Sequence, residues 1–240
     1  MANLARAWAS TKTGLVRQGN EDRCRVGTWR SGSVDEDWSG SLDEKFPWIL
    51  VADGMGGHSA GEVASETAID ALHELLAATV AQSDLFEIIE EANSRVFEVM
   101  QAPAGRPGMG TTIAGFWLNH EQLKIFNVGD SRVYLHRGGR LKRMTVDHTP
   151  ATSAGRRSHL LTQSLGGTAF RVPLQPHIEE LKLSAGDKII LCTDGLTDMV
   201  PDPTIEEVLQ SNPDHPARAL AAAAMHGGGK DNITVVVAAF

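Results

Sequence analysis

Five short acidic pairs punctuate the 240-residue chain: Asn20-Glu21-Asp22, Asp53-Gly54, Gly129-Asp130, Asp194-Gly195 and Asp231-Asn232. Four of them adjoin an apolar run. Ile49–Ala52 leads to Asp53, Ile125–Val128 to Asp130 and Ile189–Cys192 to Asp194, while Asp231 and Asn232 open Ile233–Val237. One such pair is an ordinary turn signal, but five at strand ends ask for a common cause. If these strands are neighbours, their carboxylates converge at one sheet edge. Ionised carboxylates a few ångströms apart raise one another's pKa, at about 1.4 kcal/mol per unit, and divalent cations remove that cost. The candidate donors are all oxygens, the Gly54 carbonyl included, which suits Mg²⁺ or Mn²⁺. The nine histidines show neither an HExxH nor a paired spacing, and Cys24 and Cys192 form no CxxC, which argues against zinc.

The elements that must position these acids are legible in outline. Apolar residues at helical spacing predict helices over 61–80 and 84–101, the second capped by Asp84 and stopped by Pro103 and Gly105. From Thr111 to Thr145 short apolar runs alternate with turns and predict an antiparallel meander. Further strands are expected at 46–52, 178–183, 188–193 and 233–239, and late helices near 204–211 and 214–226. Strands in blocks and helices in pairs favour α+β layers over alternating βαβ units. Residues 30–45, rich in Ser, Gly, Asp and Glu, read as an exposed acidic loop, and 148–168 as a surface excursion. The glycines at 54–57 and 105–110 miss the dinucleotide and P-loop patterns at a residue with a mechanical job, Ser59 and Thr111 respectively.

Bulk properties narrow the function. A net charge of −8 argues against nucleic acid; Arg137, Arg140, Lys142 and Arg143 around Gly138-Gly139 read as solvated hairpin residues. No window reaches the roughly 18 apolar residues of a membrane span. Two isolated cysteines suit reduced core thiols in a cytoplasmic protein. The expectation is one free-standing, monomeric catalytic domain over 1–240.

In chain order the motifs are GLVRQGNED at 14–22, VADGMGGH at 51–58, GMGTT at 108–112, NVGDSR at 127–132, TDGLTD at 193–198 and KDN at 230–232. Together they resemble the bacterial branch of the protein phosphatase 2C, or metal-dependent protein phosphatase, family, from about residue 10 onward. The resemblance implies a four-layer α-β-β-α sandwich, two antiparallel sheets flanked by helix pairs. It also implies two Mn²⁺ or Mg²⁺ ions: Asp53 bridging them, Asp194 and Asp231 on the first, the Gly54 carbonyl on the second. Asp22 matches the acid that holds a metal-bound water, with Glu21 sharing that shell. Asp130 and Asp198 match positions for a third, weaker ion, and Arg17 the phosphate-binding arginine, whose guanidinium fork grips two oxygens. The implied reaction is hydrolysis of phosphoserine and phosphothreonine in proteins by a metal-activated water, opposing a bacterial Ser/Thr kinase. The alternatives are hydrolysis of small phosphate esters and a non-catalytic phosphoprotein-binding module; intact Asp53, Asp194 and Asp231 speak against the latter. Two departures stand out. Met55 occupies the place of the histidine proposed as general acid in the eukaryotic branch, which leaves the proton donor unassigned, His58 included. The flap between Asp147-His148 and Leu165-Gly166-Gly167 is short, and loops beside a site set specificity.

Overall fold

The computed structural model describes residues 3–56, 60–79, 84–103, 105–119, 122–150 and 160–240. Two six-stranded antiparallel sheets form its centre. One runs Arg140–Arg143, Arg132–Arg137, Lys188–Cys192, Ile233–Ala239, Asn3–Lys12, Glu36–Asp43; the other runs His177–Lys182, Gln122–Val128, Ile113–Asn119, Trp48–Ala52, Arg23–Val26, Trp29–Arg30. Among the described residues five helices cover them: α1 (Ala60–Ala78), α2 (Leu85–Gln101), α3 (Asp194–Thr197), α4 (Asp202–Ser211) and α5 (Pro216–His226).

The central strands are continuously apolar because both their faces are covered. In Trp48–Ala52, Trp48, Leu50 and Ala52 pack with α1 and α2, while Ile49 and Val51 lie between the sheets. In Ile233–Ala239, Val235 and Val237 pack with α4 and α5, and Val236 and Ala238 face the other sheet. Three apolar layers thus separate four layers of structure, the α-β-β-α sandwich expected. The helices follow their sequence signals. Asp84 caps α2 by accepting from Phe86 N at 2.9 Å, and prolines stand in the first turns of α4 and α5, where a missing N–H costs nothing. Both cysteines are free and buried.

Three expectations are corrected. Residues 30–45 are not a loop: Glu36–Asp43 pairs with Asn3–Lys12 at the sheet edge. An edge strand with one solvated face tolerates the polar residues that disguised it, while Trp38 and Leu42 pack inward. The meander from 111 to 145 is two hairpins in different sheets. The chain changes sheets at Gly129-Asp130, where Gly129 adopts φ +101°, a conformation glycine takes at no steric cost. Within 148–168, residues 151–159 lie outside the described residues, but Leu165–Gly166 is no surface excursion. It pairs with Gly110–Thr111, which pairs in turn with Gly54–Met55, and Leu165 is fully buried.

Candidate metal centre

The acids at the strand ends meet. A cavity of about 790 Å³ is walled by Arg17, Asp53, Gly54, Asp130, Asp194 and Asp231. Asp53 and Asp130 arrive on the strands Trp48–Ala52 and Gln122–Val128 of one sheet; Asp194 and Asp231 flank Lys188–Cys192 and Ile233–Ala239 of the other. Two glycines permit this approach. A Cβ on Gly54 would overlap the Gly61 carbonyl in the first turn of α1, and a Cβ on Gly195 would overlap the Asn232 carbonyl. A side chain at either position would displace the neighbouring aspartate.

Asp22 stands behind this wall, buried, with Oδ2 accepting from Thr193 Oγ1 at 2.8 Å. Beneath it runs a buried polar chain. Thr234 N donates to Thr193 Oγ1 at 3.1 Å, the Thr11 and Thr234 hydroxyls lie 2.8 Å apart, and Asn20 Nδ2 donates to Thr11 Oγ1 at 2.8 Å. Asp53 is fixed through its backbone: its N–H donates to Thr112 Oγ1 at 3.0 Å, and its carbonyl accepts from Thr111 Oγ1 at 2.9 Å. Asn232 joins the two halves of the site. Its Nδ2 donates to the carbonyls of Thr13 and Gly19 at 2.8 and 2.9 Å, and its Oδ1 accepts from Glu21 N at 2.9 Å. The loop bearing Arg17 is thereby tied to the strand bearing Asp231. Arg17 Nη2 donates to Asp231 Oδ2 at 2.6 Å.

The electrostatics are those of crowded carboxylates. Burial holds the Asp53 carboxyl well above the usual range, and repulsion from Asp22, Asp194, Asp231 and Asp130 adds to it. Burial likewise pushes Asp22 up to about 7, opposed by the Thr193 hydrogen bond and reinforced by Asp194 and Asp231. Among the described residues no three acid, histidine or cysteine side chains are drawn up tightly enough to hold an ion as they stand, and Asp231 is engaged by Arg17. The donor set nonetheless fits hard divalent cations. It is all oxygen, it carries the mutual repulsion that cations relieve, and Asp22 Oδ1 is buried without a hydrogen-bond partner, an arrangement proteins rarely leave unused.

Not every expected residue joins this cavity. Asp198 opens on an adjoining cavity of about 870 Å³, beside Lys230 and Met199, with Arg17 and Asp231 as common wall. Asp130 and Asp198 are therefore not brought face to face. Glu21 does line the main cavity, and His58 lies outside the described residues. Sequence reasoning missed Asn232, Thr193, Thr11 and Thr234 as supports. Their signal was a hydroxyl or amide where a buried strand end otherwise calls for an apolar residue.

A model of the protein phosphatase 2C family matches residues 27–224. The serine/threonine phosphatase stp of Listeria innocua is 33% identical, over 95% of this chain and 92% of its own. The crystal structure of the Mycobacterium tuberculosis serine/threonine phosphatase PstP/Ppp matches with a TM-score of 0.79 and 32% identity, over 99% of both chains. The catalytic domain of PstP in complex with two manganese ions matches with a TM-score of 0.78 and 33% identity, over 98% of both.

Proposed function

The chain belongs to the protein phosphatase 2C family, and from that premise we propose that it hydrolyses phosphoserine and phosphothreonine in proteins, reversing a Ser/Thr kinase. The observation that carries this reading is the meeting of Asp53, Asp194 and Asp231 with Arg17 at one cavity. Asp53, Asp194, Asp231 and the Gly54 carbonyl would hold two Mn²⁺ or Mg²⁺ ions, as the solved relative holds two manganese ions. A third, weaker ion would draw on Asp130 in this cavity, without Asp198, which lines the adjoining one. Bound ions supply charge neutralisation at the phosphoryl oxygens and a lowered pKa for the attacking water.

The chain's own residues supply the rest. Arg17 reaches the cavity from an exposed loop, so its fork can leave Asp231 for two phosphoryl oxygens. Asp22, with Oδ2 held by Thr193 and Oδ1 buried without a hydrogen-bond partner, would use Oδ1 to hold a metal-bound water. No helix among the described residues is long and apolar enough to cross a membrane.

The test is phosphate release from phosphothreonine peptides and from nucleotides, each with Mn²⁺ and with chelator. Peptide turnover that requires Mn²⁺ is expected. Faster turnover of nucleotides would make the protein a small-ester hydrolase, and a folded, Mn²⁺-binding protein without turnover would make it a binding module.

A further inference from the structure

The acids and Arg17 account for only part of the cavity. The remaining wall carries no charge beyond Glu21 and mixes the polar side chains of Thr162, Gln163 and Ser164 with apolar ones, of which Phe97 of α2 and Leu174 are buried and Leu160 and Val172 exposed. These last two side chains are 72% and 59% exposed, and Phe170 beside them is 81% exposed. Among the described residues ten large apolar side chains are left exposed. Half of them belong to two segments, Leu15 and Val16 before Arg17, and Leu160, Phe170 and Val172; of these Leu160 and Val172 line this cavity and Val16 the adjoining one. Single exposed apolar residues need no explanation, but clustered ones at a cavity mouth mark a contact surface.

The segment is also held in shape. Glu90 of α2 accepts from Arg171 Nη2 at 2.7 Å and from Leu174 N at 2.6 Å, while Gln163 Oε1 accepts from Gln175 N at 2.7 Å. The two bonds to Glu90 tie residues 171–174 to α2 and the third ties Gln163 to Gln175, which spares a ligand the cost of ordering them. Arg171 is the one charged residue between Leu160 and Leu174, and it is paired with Glu90. The Leu160–Leu174 segment therefore offers uncharged surface, apolar at Leu160 and Val172, in the same cavity as the acids and Arg17.

We propose that the Leu160–Leu174 wall is a specificity subsite that takes an apolar side chain next to the phosphorylated serine or threonine of a peptide substrate. This rests on the phosphatase reading above. It is tested with a phosphothreonine peptide flanked only by glycine, and four derivatives carrying one leucine at the first or second position on either side. With Mn²⁺, at least one leucine peptide is expected to exceed the glycine parent roughly tenfold in kcat/KM, the worth of one apolar group in a pocket. Leu160→Ser combined with Val172→Ser should abolish that preference, bringing the leucine peptides to the kcat/KM of the glycine parent on the same variant, whereas Val34→Ser, exposed elsewhere, should keep it. Equal rates for all five peptides, or a preference that survives the double substitution, would overturn the subsite. A wild-type protein that fails on the glycine parent as well would overturn the phosphatase reading, and the subsite with it.

Discussion

The two walls of the cavity are built in opposite ways. The acid wall gathers residues from both sheets and fixes them through hydrogen bonds that involve Thr193, Thr112 and Asn232. The apolar wall is one stretch of chain, hung on Glu90 and Gln163, with its working side chains in solvent. The acid wall must place charges that repel one another, so it depends on positions that folding fixes at a cost. The apolar wall places surface and tolerates change. Substitutions should therefore separate cleanly into those that stop the chemistry and those that redirect it.

The largest effect is expected at Asp53. Asp53→Asn should lower phosphopeptide turnover about a thousandfold or more and abolish Mn²⁺ binding in calorimetry; retained Mn²⁺ affinity would remove Asp53 from the ligand set. The same variant should be more stable than the parent in chelator. Burial and neighbouring acids raise the Asp53 pKa in the folded state, so the folded chain holds a proton that the unfolded chain releases near pH 4. Stability of the metal-free protein then falls as pH rises from about 4 toward the raised folded value, and Asn should flatten that slope in urea titrations.

Next comes Asn232→Ala, which strands two carbonyls and one amide and releases the Arg17 loop. Support residues of this kind are worth about 10–100-fold in metal affinity or activity. Mn²⁺ calorimetry and phosphopeptide kinetics on the folded variant check it, and unchanged values would mean that the acid wall needs no such tie.

Much of this wall was legible in the sequence, because strand ends and acids are local signals. Asp53, Asp130, Asp194 and Asp231 each sit beside an apolar run, and all four reach the cavity. What joins the runs is not local. The register that sets Thr11 against Thr234 pairs residues 223 apart, and no spacing announces it. The change of sheets at Gly129 looked like another hairpin turn, since a glycine's φ is invisible in its letter. Glu36–Asp43 hid because an edge strand owes its place to its partner, not to its own hydrophobicity. The apolar wall escaped altogether: Leu160, Phe170 and Val172 show no periodicity, and their meaning lies in what they stand beside.

A smaller effect is expected where the two walls share a substrate. Arg17→Ala should raise KM for a phosphopeptide about tenfold while kcat changes little, because a guanidinium fork binds the phosphoryl group in ground and transition state alike. Arg17→Lys should recover only part of the loss, since an ammonium cannot present two parallel donors. A normal KM in Arg17→Ala would leave phosphate recognition to the acid wall and its ions.

The smallest effect is on folding, and it tests whether the apolar wall is surface or core. Leu160 and Val172 are mostly exposed, and exposed substitutions away from caps and buried networks change stability by no more than about 0.5 kcal/mol. Leu160→Ser with Val172→Ser should therefore leave the urea midpoint almost unmoved. Leu174→Ser, two residues on and buried against the α2 side of the cavity, should cost about 2 kcal/mol or more, because it removes packed apolar volume and buries a hydroxyl. A loss of that size in the exposed pair would make the edge part of the fold's core. Its side chains would then be fixed by stability, and substrate choice would have to be set elsewhere.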